Sequence, residues 1–310
     1  MHASASRSRG FSLLEVLVAT AVLALLIVLL ATATNSTVSV VGRAQAKINQ
    51  FSAARAAFEQ LTSSLGQATL NTRWTYDDPG TPSSYERYSD LHFLVAAGGT
   101  GGQKLFFQSP VASSTAGDPS ADLLEAVGFW VAFGDDSAWR PSHVSTARSR
   151  YRLFQGTASG PSFNVFDNST GAQWTSEVEN VPQAAFPVAE NVIALILHPR
   201  LPATTDPGGT KLTTDYLYDS RGAKAVQQAQ LPPAVQVTLI VIDEASAQRM
   251  ENGTSEPAVI QNALAGKFLQ VSNFASDLQS VKTALDAARV NYLVLSAPVT
   301  LRESKWSLTP

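Results

Sequence analysis

Cysteine is absent from the whole sequence, which excludes a disulfide scaffold and every thiolate metal site. At 310 residues and 45% hydrophobic content, the chain buries a sizeable core without cross-links and has room for one or two domains. Charge is scarce too: Asp, Glu, Lys and Arg make up 15% of the residues, with a net charge of -3 and a sequence pI near 5.8. No polyelectrolyte partner is implied, and nucleic acid finds no basic surface to bind. The four histidines, His2, His92, His143 and His198, lie in unlike contexts and offer no metal-ligand spacing. A Gly-x-Ser-x-Gly elbow is missing, and the run Gly98-Gly99-Thr100-Gly101-Gly102 lacks the Gly-Lys-Ser/Thr ending that a phosphate loop needs. These absences read as a protein that is not an enzyme, with no catalytic residue, cofactor or metal assigned.

The most informative shortages are local. From Val16 to Gly42 there is no Asp, Glu, Lys or Arg, and from Phe11 to Val41 there is neither Pro nor Gly. Leu, Val, Ala and Ile dominate this run, which is long enough to cross a hydrocarbon core of about 30 Å as a helix, so residues 11–34 are assigned to the membrane. A short polar leader carrying Arg7 and Arg9 ends in Gly10, and a single acid, Glu15, sits just inside the apolar segment. A carboxylate in a membrane helix costs about 2.5–3.5 kcal/mol at the centre and less near an end, so Glu15 asks for a partner. Cleavage after Gly10 would supply one, because the new α-amine of Phe11 is a cation that can meet Glu15 of a neighbouring subunit. Basic residues flank both ends, with Arg43, Lys47 and Arg55 on the far side, so charge bias alone sets no orientation.

The stretch Gly10-Phe11-Ser12-Leu13-Leu14-Glu15 resembles the cleavage and methylation motif of type IV prepilins and type II secretion pseudopilins. The resemblance implies processing by a prepilin peptidase that cuts after Gly10 and methylates the amine of Phe11. It further implies Glu15 as the assembly residue, a cytoplasmic leader, a bacterial inner-membrane anchor and a periplasmic head. The implied partners are the peptidase, other pilin or pseudopilin subunits and inner-membrane lipid, with no nucleic acid. The expected function is that of a minor structural subunit of a pilus-like or secretion pseudopilus filament. A filament-tip adhesin or binding module, and a signal-anchored exported protein of unknown activity, are the alternatives.

Beyond the membrane run, Ile48, Phe51, Phe58, Leu61 and Leu65 continue a helical stripe, and the spacing predicts one helix from Phe11 to about Leu70. Asn71 to Ser89 reads as a loop, after which the period changes to two. Leu91 to Val95 and Lys104 to Phe107 flank the glycine-rich run as a hairpin. Further strands are expected at Val127 to Phe133, Arg150 to Phe154, Val192 to His198, and Val235 to Ile242, the last placed by Pro232-Pro233. Asp243 to Asn252 and Glu256 to Leu264 each read as a short helix or turn. Ser276 to Arg289 reads as a longer one with Ser272 or Asn273 as cap, followed by a strand at Val290 to Leu295 and a closing segment from Val299 to Trp306. The predicted fold is α+β: a long hydrophobic helix on a mainly antiparallel sheet head, with an extra C-terminal helix and strand. The corresponding divisions are a leader at 1–10, a stalk at 11–70 and a head at 71–310, of which 243–310 is a C-terminal extension.

Shorter likenesses run through the head. Tyr151-Arg152-Leu153 and Leu231-Pro232-Pro233-Ala234-Val235 resemble strands of the minor pseudopilin of the J type. The helix-strand ending with Tyr292 and Lys305-Trp306-Ser307 resembles the pilin-like Verru_Chthon cassette protein C family. Major pseudopilins commonly hold calcium in a loop, but Asp77-Asp78 and Asp135-Asp136 do not alternate as a set of about 6–8 converging oxygens requires. Both pairs read as solvated turns. His92 and His198 read as hydrogen-bonded structural histidines, Trp130 as core, and no spacing unites Trp130, Trp139 and Trp174 into a carbohydrate surface.

Overall fold

A computed structural model of the chain describes residues 13–78, 80–100, 102–110, 124–159, 164–166, 173–180 and 185–307, with the backbone alone at 15, 35–36, 39–50 and 185–186. It divides into two compact units, Met1–Asn49 and Gln50–Pro310.

The first unit is helical. Helix α1 spans Leu13–Leu65, and its early turns are rich in Leu and Ala, which form helix with little loss of side-chain freedom. The threonines in this stretch do not leave a polar group open: the hydroxyls of Thr20, Thr34 and Thr37 donate to the carbonyls of Leu17, Leu30 and Ala33 at 2.8–3.0 Å. Leu17, Val18, Leu23, Leu25, Ile27 and Leu30 are each at least half exposed, so the apolar surface runs around this part of the helix instead of lying on one stripe.

The second unit opens with the end of α1. Ala54, Ala57, Leu61 and Leu65, spaced three, four and four, are buried, and Phe58 packs beside them. The helix stops at Leu65, short of the predicted Leu70. Gln67 and Ala68 donate to Ser64 and Leu65 at 3.0 Å in tightened turns, and the amide of Thr69 bonds to the Gln108 carbonyl at 2.9 Å, which pulls the chain into the sheet.

Three antiparallel sheets follow. Strands β1 (Arg73–Tyr76) and β2 (Tyr85–Tyr88) form a ribbon. A six-stranded sheet has the order β7 (Ala185–Glu190), β6 (Arg150–Ala158), β5 (Leu124–Gly134), β4 (Gln103–Pro110), β3 (Leu94–Ala97) and β9 (Tyr218–Asp219). A three-stranded sheet has the order β11 (Tyr292–Thr300), β10 (Ala234–Ile242) and β8 (Val192–Arg200). Strand period explains how one sheet serves two cores. On β4 and β5, Leu105, Phe107, Val127 and Phe129 face the main core with Leu61, Leu65 and the β8 and β10 side chains. Phe106, Ala126 and Trp130 face a smaller core on the other side, closed by Trp174 and Val178 of helix α2 (Gln173–Asn180). Each fully buried Leu or Phe contributes about 1.5–3 kcal/mol of transfer free energy. Helix α2 lies so close that a Cβ at Gly156 would collide with the Val178 carbonyl.

Several sequence expectations change. Asn71 to Ser89 is not all loop: Tyr76 pairs with Tyr85 across the β1–β2 ribbon, and Arg87 and Arg73 lie over the rings of Trp74 and Tyr88 opposite them. The single expected sheet is two large ones, joined at a parallel bridge between Gly102 and Leu195. Residues 243–310 are woven into the head. Strand β11 pairs with β10 along its whole length, from Ala234 with Thr300 to Ile242 with Tyr292, and so runs through Val299. Helices α3 (Glu244–Arg249), α4 (Ala258–Leu264) and α5 (Phe274–Ala287) place Ala247, Ile260, Val281 and Leu285 in the main core. Helix α3 is capped by Asp243, which accepts from the Ser246 amide at 2.9 Å. At α5, Asn273 holds the cap position without a side-chain cap bond, because a single 3-10 turn at Val271–Asn273 leads straight into the helix.

Candidate functional site

The segment singled out by the sequence begins outside the described residues: Gly10 and Phe11 lie there, and the Glu15 side chain does too. The backbone of Glu15 is helical, one residue before the apolar span Val16–Thr34. Those 19 residues rise about 28 Å at 1.5 Å each, close to a hydrocarbon core. With its threonine hydroxyls bonded back to its own carbonyls, the span presents almost wholly apolar surface.

The other sequence candidates resolve into structural roles. Asp77 accepts from the amides and hydroxyls of Ser83 and Ser84, and the Ser83 bonds above all hold its carboxyl well below the usual range. Asp78 accepts from the Gly80 amide and the Thr81 hydroxyl, Asp135 from Ser137, and Asp136 from Arg140 and the Arg148 amide. Both acid pairs therefore fasten turns. Among the described residues no group of three His, Asp or Glu side chains stands close enough to hold a metal.

The indole N–H of Trp174 donates to His92 Nδ1 at 3.1 Å, so His92 Nε2 carries the proton toward Asp219 Oδ1 at 2.7 Å. His198 Nε2 donates to the Gly209 carbonyl at 2.7 Å, and burial holds its imidazole below the usual 6.5. Trp130 and Trp174 are core, stacked or edge-on around Phe106, while Trp139 is exposed, edge-on to the Phe154 ring that stacks on Trp130 and with the Arg152 guanidinium over its own ring at 5.5 Å. They line no common surface.

Sequence reasoning missed the buried arginines. Arg150 reaches Glu244 and Glu251 at 3.2 and 2.9 Å and ties β6 to helix α3. Arg152 reaches Glu190 and the Gly134 and Arg148 carbonyls. An alternating strand gives no sign that a charge on the face turned away from the main core has partners waiting on other elements. The tip at Gly98 to Gly102 borders a cavity of about 470 Å³ whose rim charges, Lys267 and Asp215, stand 3.9 Å from Asp277 and Lys224.

Residues 5–31 match the family model of the prokaryotic N-terminal methylation motif. No curated protein and no solved structure matches the chain. The match covers part of the polar N-terminal stretch and most of the apolar span, and the likenesses to the J-type pseudopilin and to Verru_Chthon cassette protein C lie outside it. Residues 5–31 thus carry the N-terminal methylation motif of type IV prepilin-like proteins, in series with an apolar helix long enough to cross a membrane.

Proposed function

We propose that the chain is a minor pilin- or pseudopilin-like structural subunit, without enzymatic activity, that a prepilin peptidase processes at the Gly10-Phe11 bond. Hydrolysis of that peptide bond frees the α-amine of Phe11. Methylation of the amine keeps its positive charge while making it less hydrated. Before assembly the Glu15 carboxylate faces lipid alone. Once α1 packs beside another stalk, the Phe11 amine of that neighbour neutralises it, and the difference favours the packed state. The same pairing sets the axial register, since a shift along the helix separates the charges by 1.5 Å per residue. The inner membrane holds the subunit until assembly, with the head on the periplasmic side.

The single observation that carries this reading is the match of residues 5–31 to the methylation motif, with Glu15 as the one acid before a 19-residue apolar span. Glu15→Leu tests the pairing. The variant is expected to be cut and methylated as usual yet to disappear from sheared, pelleted filaments and stay in the membrane. Recovery in filaments at the parent level would show that Glu15 does not drive assembly.

A further inference from the structure

Five aromatic side chains are exposed among the described residues: Trp74, Tyr76, Tyr85, Trp139 and Phe166. Three of them share one face of the β1–β2 ribbon. Trp74 lies opposite Arg87 and Tyr76 opposite Tyr85, and directly opposed residues of an antiparallel pair project from the same face, as do alternate residues along a strand. Trp74, Tyr76 and Tyr85 are 51%, 48% and 63% exposed. The two tyrosine rings lie 4.9 Å apart, and their hydroxyls meet at 3.3 Å. Arg87 leans over the Trp74 ring at 5.2 Å and donates to the Ser307 hydroxyl at 2.6 Å.

This face runs on into a groove. Trp74 and Arg87 also wall a depression of about 270 Å³ that Thr72, Gln230, Glu303 and Lys305 line from the other side. Glu303 and Lys305 are exposed, so the groove offers an acceptor and a donor beside the aromatic wall. Apolar area and hydrogen-bonding groups alternate across the surface instead of separating into a hydrophobic patch and a polar rim. A protein partner of ordinary kind prefers the separated arrangement.

We propose that this face and groove bind carbohydrate, with the sugar rings of an extended polysaccharide lying on Trp74 and on the Tyr76–Tyr85 pair. A sugar ring has an apolar C–H face that packs on an aromatic ring and an edge of hydroxyls, each both donor and acceptor. Glu303, Lys305 and the tyrosine hydroxyls meet that edge with both kinds of partner. Successive platforms stand about 6.6 Å apart along β1, two residues of strand rise, so an extended chain of rings passes over both. The ribbon is tied at both ends: Arg73 pairs with Asp90, and Asp77 accepts from the Ser83 and Ser84 amides across the turn. Aromatic rings already held against neighbours lose little side-chain freedom on binding.

The test uses the full-length chain in a detergent without sugar headgroups, mixed with insoluble cellulose, chitin and peptidoglycan. Retention on at least one of the three is expected, reversed by soluble oligosaccharides of the same polymer. Trp74→Ala and, separately, Tyr85→Ala are expected to weaken it about tenfold or more, equivalent to about 1.4 kcal/mol each. Trp139→Ala, on another element, binds as the parent does. Thermal melting of each variant separates lost binding from lost folding, and two independent exposed sites keep the test open if one variant misfolds. Failure to be retained on any of the three polymers, or retention that survives both ribbon substitutions, overturns the assignment.

Discussion

His198 shows how one side chain records its surroundings. It donates to the Gly209 carbonyl from a partly buried position on β8, and burial keeps its imidazole below the usual 6.5. The folded state therefore takes up a proton less readily than the unfolded chain. As pH falls, the unfolded state is protonated first, so the contribution of this site is full above about 6.5 and fades as pH drops through the lower folded value. Melting temperature is expected to fall between pH 7 and 5, and His198→Gln, which keeps a donor for Gly209, is expected to flatten that part of the curve. An unchanged slope in the variant would assign the loss to other groups. At this scale the sequence is legible where a residue type at fixed spacing is itself the signal, as with Gly10, Phe11 and Glu15. It is illegible where role depends on what lies across the fold. Trp130 sits in an apolar strand and reads as core, but Trp74 and Trp174 both stand between a polar residue and a Thr, yet one is displayed and the other is core. The burial of Arg150 and Arg152 could not be read either, because their partners Glu190, Glu244 and Glu251 come from later elements.

Helix α1 and the strands β5, β8 and β10 were foreseeable because a long run without Pro or Gly and a period of two are both local properties. Elements held by distant contacts were not. Strand β9 is two residues pinned to β3, and α2 is a short helix kept in place by Trp174 and Val178 against the back of the six-stranded sheet. The C-terminal part shows the same limit. Read along the chain, 243–310 is an extension of the head with an extra helix and strand, and nothing local says which strand it pairs with. In space, β11 completes the three-stranded sheet, and Val299 and Leu301 are buried in the main core with α5. Ending the chain after Arg289 would expose the edge of β10 and empty those positions, at about 1.5–3 kcal/mol for each buried aliphatic side chain. The truncated chain is expected to be insoluble or rapidly degraded. A truncated head that stays soluble and melts as the parent does would show that β11 and the residues after it add nothing to the stability of the core.

The whole molecule joins two units with opposite solvent preferences. Residues Met1–Asn49 carry an apolar helix whose described side chains between Leu13 and Val38 are exposed, while Gln50–Pro310 encloses a main and a smaller core without a disulfide. That combination suits a subunit held in lipid through one unit and presenting the other to water. The anchor was fully legible in the sequence, because crossing a membrane is a matter of length and polarity along a single segment. The head's binding surface was not, because it is assembled from residues near 74, 87, 230 and 305 that only folding brings together. The central claim, that the chain is a processed prepilin-like subunit, rests on its N-terminus. Its most direct test is the intact mass and N-terminal peptide of the protein from its native membrane, with and without prepilin peptidase. The account predicts a chain that starts at N-methylated Phe11 only when the peptidase is present. A chain that starts at Met1, or at another cut that does not depend on the peptidase, would contradict it.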